Sequence, residues 1–311
     1  MPQTEVKRPH GPSAPESSSV TSLKGLDIGP YGPYNEPLLQ PSKDMQNIVG
    51  DMLSMAGGVA AVLLQIAQPA VGAGVAANSS FTLRPIERGR RSMIYIYVQA
   101  FGTPEERRYI TDATHKSHDK VKGSFSGTSY DANDVDLQLW VAATTYWSLI
   151  ESWETIHGVL PRDRRERVYK EFSSMATALH VPASKWPEDL EAFDEYWKKT
   201  ISTLKVSPEV RAVGRQVLFP AKDLFKWKTL HLWLYIILNG PLSRVVTTEM
   251  LPEEIRNAYG IPSTKRTRVT YKLAVLVTRA WWPWAPKFLK TPVKDFYMWD
   301  MRDRIKKGKR W

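Results

Sequence analysis

Apolar and polar positions along the chain follow a helical rhythm, not a strand rhythm. DVDLQLWVAATTYWSLIESWETIHG reads as one long helix that starts after Asn133/Asp134 and stops at Gly158. Thr103-Pro104-Glu105-Glu106 is a capping box with proline at the first helical position, and the helix it opens is expected to run to Gly123. PEDLEAFDEYWKKTISTL starts another. KTLHLWLYIILNGP is nearly all apolar, which predicts a deeply buried helix ended by Gly240-Pro241, and LPEEIRNAYG closes in the same way. No convincing alternating strand and no internal repeat is present. The pattern predicts an all-α, single-domain helical bundle.

Two stretches break the rhythm. Residues 1–43 are rich in Pro, Gly and Ser, without periodicity, and read as a disordered arm, with residues 44–311 as the helical domain. No apolar run follows the few N-terminal charges, so the arm does not read as a signal peptide. Met52 to Leu83 carries no charge and is long enough to be weighed as a membrane span. Gln65, Gln68 and Pro69 interrupt it, and Ala and Gly dominate, which fits a buried helix pair better. These patterns lead us to expect a cytoplasmic protein, at most peripheral on a membrane.

Composition narrows the chemistry. Of 311 residues 42% are hydrophobic, enough for a full-sized core, and cysteine is absent. Disulfides, Cys-ligated zinc, iron–sulfur clusters, Cys nucleophiles and thiolate-ligated haem are thereby excluded. The net charge is +11, and Lys287–Trp311 holds nine Lys/Arg against three Asp. Trp281, Trp282, Trp284, Phe296, Tyr297, Trp299 and Trp311 accompany those cations. A basic aromatic tail over 281–311 suits an anionic membrane surface, and it equally suits a segment packed on the body with its charges solvated. No nucleic-acid-binding signature accompanies it.

Several motifs fail on context. Gly72-Ala-Gly74-Val-Ala-Ala77 fits a dinucleotide fingerprint, yet Pro69 precedes it and helices follow, so close helix packing explains it better. Gly123-Ser-Phe-Ser-Gly127 has Phe125 where a nucleophile elbow needs serine. Glu154-Thr-Ile-His157 is one Glu-x-x-His unit where a di-iron bundle needs two, and a solvated helix end is the expected role. His231, in an apolar helix, reads as a core histidine. Ile110, Thr114, His118 and Val121 share a stripe, which sets His118 at the edge of a buried face and turns His115 toward Asp112 and Asp119 on the polar side. An inward His is the minimum for an axial haem ligand, and spacing alone does not carry that reading. Arg88, Arg91 and Ser92 fall on one helical face, continued by Tyr95. An anionic group such as a haem propionate, or an ordinary pairing with Asp or Glu, would satisfy the two guanidiniums equally well.

The ordered blocks QIAQPAVGAGVAANSSF, RPIERGRRSMIYIYVQAFGTPEE and HDKVKGSFSGTSYDANDVDLQLWVAAT resemble the catalytic domain of rubber oxygenases (latex-clearing proteins) and ER-bound mycophenolate-pathway oxygenases. The resemblance covers about residues 45 to 262 and is most specific from His118-x-x-Val121-x-Gly123 through Trp140-Val141. It implies an all-helical fold with a haem pocket, globin-like in style, and haem b held by His118 as the axial iron ligand. It sets Arg88, Arg91 and Ser92 on the distal side of the haem. Gln68, Asn78 and Ala142 stand where the family pattern has His, so roles resting on those histidines do not transfer. Arg91 stands in place of a lysine and, unlike lysine, cannot lose its proton and coordinate iron. The function so implied is a haem b-dependent oxygenase that uses dioxygen to oxidise or cleave an apolar isoprenoid- or polyketide-like substrate, in secondary metabolism. Residues 55–77 and 140–153 would wall its substrate channel. The alternatives are a haem-dependent isomerase, dehydratase or cyclase, and a non-catalytic haem-binding protein at a membrane surface.

Overall fold

The computed structural model describes residues 41–77, 85–219 and 230–309, with backbone alone at 85–86 and 230–239. The expected disordered arm lies, but for its last three residues, outside the described residues, as do Asn78 and the side chain of His231. Within the described residues the fold is all-α, and helices account for nearly every element.

The first half runs α1 (Lys43–Gly50), a 3-10 segment (Met52–Gly57), α2 (Gly58–Ala67), α3 (Pro69–Ala77), α4 (Pro85–Phe101) and α5 (Pro104–His118). A hairpin, β1 (Lys122–Phe125) and β2 (Thr128–Asp131), leads into α6 (Val135–His157), α7 (Arg162–Thr177), α8 (Leu190–Ile201) and α9 (Pro208–Leu218). The chain closes with α10 (Leu230–Met250), α11 (Glu253–Ala258), α12 (Lys265–Trp281), α13 (Lys287–Lys290) and α14 (Pro292–Lys306).

The predicted starts and stops hold where local chemistry sets them. Thr103 and Glu106 form the reciprocal capping box of α5, and the Asp134 carboxylate accepts from the amides of Asp136 and Leu137 at the start of α6. Gly158 ends α6 with φ 91°, a conformation that needs glycine. Two expectations are corrected. First, α5 stops at His118, and the residues to 131 form a hairpin in register Lys122–Asp131 to Phe125–Thr128. Ser126 and Gly127 both take positive φ, 48° and 78°, which is the two-residue turn that the right-handed twist of paired strands favours. Second, α10 continues through Gly240-Pro241 to Met250, so proline sits inside a helix instead of ending it. Residues 55–77 and 140–153, expected to wall a substrate channel, lie next to each other. Here α2 and α6 pack directly together as the middle of the core.

That core is built around α6, which packs against the 3-10 segment, α2, α7 and α12. Pro69 cuts α2 short and leaves its last carbonyls without helical donors. The indole of Trp140 donates to Leu64 O at 3.1 Å, and Lys205 N to Ala67 O at 2.8 Å, so the break in the apolar stretch is satisfied from three directions in the fold. Tyr259 adds a donor to Leu63 O at 2.8 Å. Small residues then allow close contact: a Cβ on Gly72 would lie 2.4 Å from Ile66 O, and one on Gly74 would lie 3.0 Å from the Tyr130 ring. The glycines of the failed dinucleotide motif are packing positions. On the other side of α6, Tyr146 meets Tyr169, Phe172 and Phe193 edge-on with centroids 5.1–5.3 Å apart.

The basic aromatic C-terminal segment is an integral part of this body. Trp282 is buried and its indole reaches both carboxylate oxygens of Asp51 at 3.0 Å, while α14 packs on α4 through buried Met298 and Met301. No single helix among the described residues is long and apolar enough to cross a membrane; α1 and the 3-10/α2 segment together have the composition, but a 60° bend separates them.

Candidate functional site

The last turn of α5 gathers three histidines, only two of them on that helix. His115 is buried, not turned to solvent as its polar neighbours suggested, and Asp112 is buried with it. The reason is a second buried stripe on α5 (Arg107, Thr111, His115), polar in sequence but covered by α4 and by the chain after α7. Gln99 of α4 donates to Thr111 at 3.2 Å within it.

Hydrogen-bond direction follows from the partners. The Ala178 carbonyl can only accept, so His115 Nε2, 3.3 Å away, carries its proton. His115 Nδ1 then accepts from His180 Nε2 at 3.0 Å. The rings lie 4.4 Å apart. Gln138 of α6 fixes the loop by accepting the His180 amide at 2.8 Å while donating to Ala132 O at 2.8 Å. Burial, and then the neighbouring charge of His180, push the His115 imidazole below the usual histidine range.

His118 lies one turn further on. Its Nδ1 is buried and has no hydrogen-bond partner among the described residues. Burial first, then the charges of His115, His180 and Arg88, push its pKa down to about 4 against a weaker upward pull from Asp119. At neutral pH the ring is therefore uncharged, with a lone pair available. Such an imidazole is a competent ligand for a metal centre. Groups of three or more His, Cys, Asp or Glu arranged to hold an ion are absent among the described residues.

The three sequence-selected residues of α4 part company. Arg88 is close enough for its charge to act on His118, and burial followed by the Arg91 charge holds its own pKa below the ordinary arginine value. Arg91 takes the ordinary pairing, 3.5 Å from Glu87, with its side chain 38% exposed. Ser92 is exposed. Between them, buried Arg90 bridges Glu87 and Asp300 of α14, at 2.5 Å and 3.1 Å, and fixes the azimuth of α4. Gln68 caps the break before α3 by accepting from Val71 N at 2.9 Å, and Ala142 is core.

Sequence reasoning missed His180 and Gln138. His180 sits in no motif and meets His115 from 65 positions away, and Gln138 occupies a position of the Asp134–Trp140 block that the family pattern leaves open. It also misplaced Glu154-x-x-His157. That pair is not a solvated helix end: Glu154 accepts from Leu160 N at 3.1 Å and faces Arg165 at 3.6 Å, and His157 Nε2 meets Asp51 Oδ2 at 2.9 Å.

A protein of Mycobacterium bovis and one of Mycobacterium tuberculosis, both described only as uncharacterised, are each 31% identical over 254 residues, covering 80% of this chain and 96% of theirs. No solved structure matches. Residues 46–280 match the family model for the ER-bound oxygenase mpaB/B'/rubber oxygenase catalytic domain, and the chain belongs to that family.

Proposed function

We propose that the protein is a haem b-dependent oxygenase acting on an apolar isoprenoid- or polyketide-like substrate, with dioxygen as co-substrate. The family supports oxygenase chemistry. The observation that carries the haem reading is His118: a half-buried imidazole kept neutral down to about pH 4, with a buried, orphaned ring nitrogen. That donor chemistry fits an axial iron ligand, since a neutral imidazole is what iron takes and no hydrogen bond competes at Nδ1. Bound haem would supply iron redox chemistry toward dioxygen.

The chain's own residues supply the rest. Arg88 would pair with a haem carboxylate, and its desolvated position makes an anion there more favourable than at the surface. The same positive charge disfavours a proton on His118, which keeps the ligand in its binding form. His115, locked between Ala178 O and His180, stays neutral and holds the end of α5 against the 178–181 loop. Arg91 and Ser92, at the solvent side of α4, would border the distal opening. A guanidinium can pair with an anion there, but it offers no lone pair to a metal.

An absorption spectrum of the purified protein is the direct test. We expect a b-type haem band in wild type, its loss in most of the His118→Ala protein, and its retention in His115→Ala. Equal haem content in wild type and His118→Ala rejects the ligand assignment. Oxygen uptake with candidate apolar substrates then tests the reaction class.

A further inference from the structure

The outward face of α12 has the wrong polarity for solvent. Val269, Leu273, Leu276 and Val277 recur along one stripe and are 48%, 55%, 66% and 61% exposed. On a helix these positions fall within about a third of the circumference, next to the arc of Arg268, Lys272 and Arg279 and opposite the side that packs on the body. The stripe reaches the helix end at Trp281 and continues past it through Trp284 and Phe288, 86% and 70% exposed. These aromatics are not on a loose tail, because Trp282 between them is buried and hydrogen-bonded to Asp51. The fold thus holds a ridge of apolar side chains out from its surface.

Charge identifies what covers it. From Tyr259 to Lys294 the sequence has eight Lys/Arg and no Asp or Glu. Lys265, Arg266, Arg268, Lys272, Arg279, Lys287 and Lys290 form no ion pair with any described residue. A second copy docking through this ridge would oppose these unpaired cations with an identical set. An anionic bilayer offers the complement: acyl chains for the stripe, headgroups for the cations, and an interfacial level for tryptophan.

We propose that α12 and the segment to Phe288 form a membrane-docking surface that lies in the interface of an anionic lipid bilayer, with the helix axis parallel to the bilayer plane. The inference is independent of the haem reading.

Sedimentation of the full-length protein with vesicles of phosphatidylcholine alone, or with phosphatidylserine added, tests it. Binding is expected to the anionic vesicles only and to weaken with salt. Lys272→Gln with Arg279→Gln is expected to lower the partition coefficient roughly 30-fold, the change that corresponds to about 1 kcal/mol per cation at such a surface. Leu273→Glu with Leu276→Glu should abolish binding, and because both side chains are exposed the thermal midpoint should not fall. Quenching of Trp284 by lipids labelled near the headgroup, lost in Trp284→Phe, would place the residue at the interface. Absence of binding to anionic vesicles overturns the proposal. So does a wild-type dimer that the Leu273/Leu276 variant dissociates, since the ridge would then belong to a second copy.

Discussion

His118 and Asp51 are two ionisable side chains whose surroundings differ from water in different ways. A histidine whose folded pKa is about 4 takes up its proton in the unfolded chain first, near 6.5. Between those values the unfolded state binds more protons, so stability is full above pH 6.5 and falls as pH drops toward 4. For the haem-free protein the ceiling on that loss is about 3 kcal/mol from this one group. His115 is displaced in the same direction and adds to it. Urea midpoints measured from pH 7 to pH 4.5 should fall, and His118→Gln should flatten the slope; an unchanged slope would mean that the ring is accessible to protons in the fold. Asp51 makes a different kind of demand. Its buried carboxylate takes the His157 ring, the Trp282 indole and the Leu53 amide at once. Asp51→Ala leaves those donors without an acceptor and should cost about 3 kcal/mol in an equilibrium unfolding measurement. Haem content should not change, since α5 and Arg88 are not among its partners.

At the level of elements, the sequence was most legible where a few adjacent residues decide the outcome. Thr103/Glu106, Asp134 and Gly158 mark helix ends by chemistry confined to one turn, and the fold has those ends where they were expected. Pro241 was less legible, because whether a proline ends or merely interrupts a helix depends on what the flanking turns pack against. The hairpin was hidden for a related reason: its signal, Ser126-Gly127, lies between strands of only four residues, the first almost wholly exposed and the second alternating over too short a run to stand out. His118 could be selected from its helical face and the family pattern. His115 could not be placed, because α5 is covered on a polar side by a loop that arrives from residues 178–181. The glycines of α3 were assigned correctly to packing, and they offer a quantitative check. A methyl group at Gly72 would press on the Ile66 carbonyl and on Val210, neither of which is a flexible tip. Gly72→Ala should therefore destabilise by about 1–3 kcal/mol despite the better helix propensity of alanine. At Gly58, where nothing lies within 4 Å, the same change should be neutral or stabilising.

Across the whole molecule, the C-terminal segment joins the candidate site to the rest of the fold. Its helix α14 lies on α4, the helix that carries Arg88, and the contacts between them are specific. Asp300 takes Arg90, which is buried, Tyr297 stacks on Tyr97 with centroids 6.0 Å apart, and Met301 is fully buried. Arg302 adds a two-nitrogen grip on Glu106, the carboxylate that also closes the capping box of α5. Removing residues 287–311 would expose apolar surface worth about 2 kcal/mol for each of Met298 and Met301. It would also strip Arg90 of the Asp300 carboxylate and leave it the pairing with Glu87, which lies on the same helix and does not tie α4 to its neighbours. The truncated chain should lose several kcal/mol in urea unfolding, and its haem content should fall because Arg88 and the α4–α5 pair are no longer held in place. A tail that only touches membranes would give the opposite result, an unchanged midpoint with lost vesicle binding. Asp300→Ala separates the effects further: it leaves the α12 ridge and the buried methionines intact, so stability should drop by about 1–3 kcal/mol while sedimentation with anionic vesicles stays at the wild-type level.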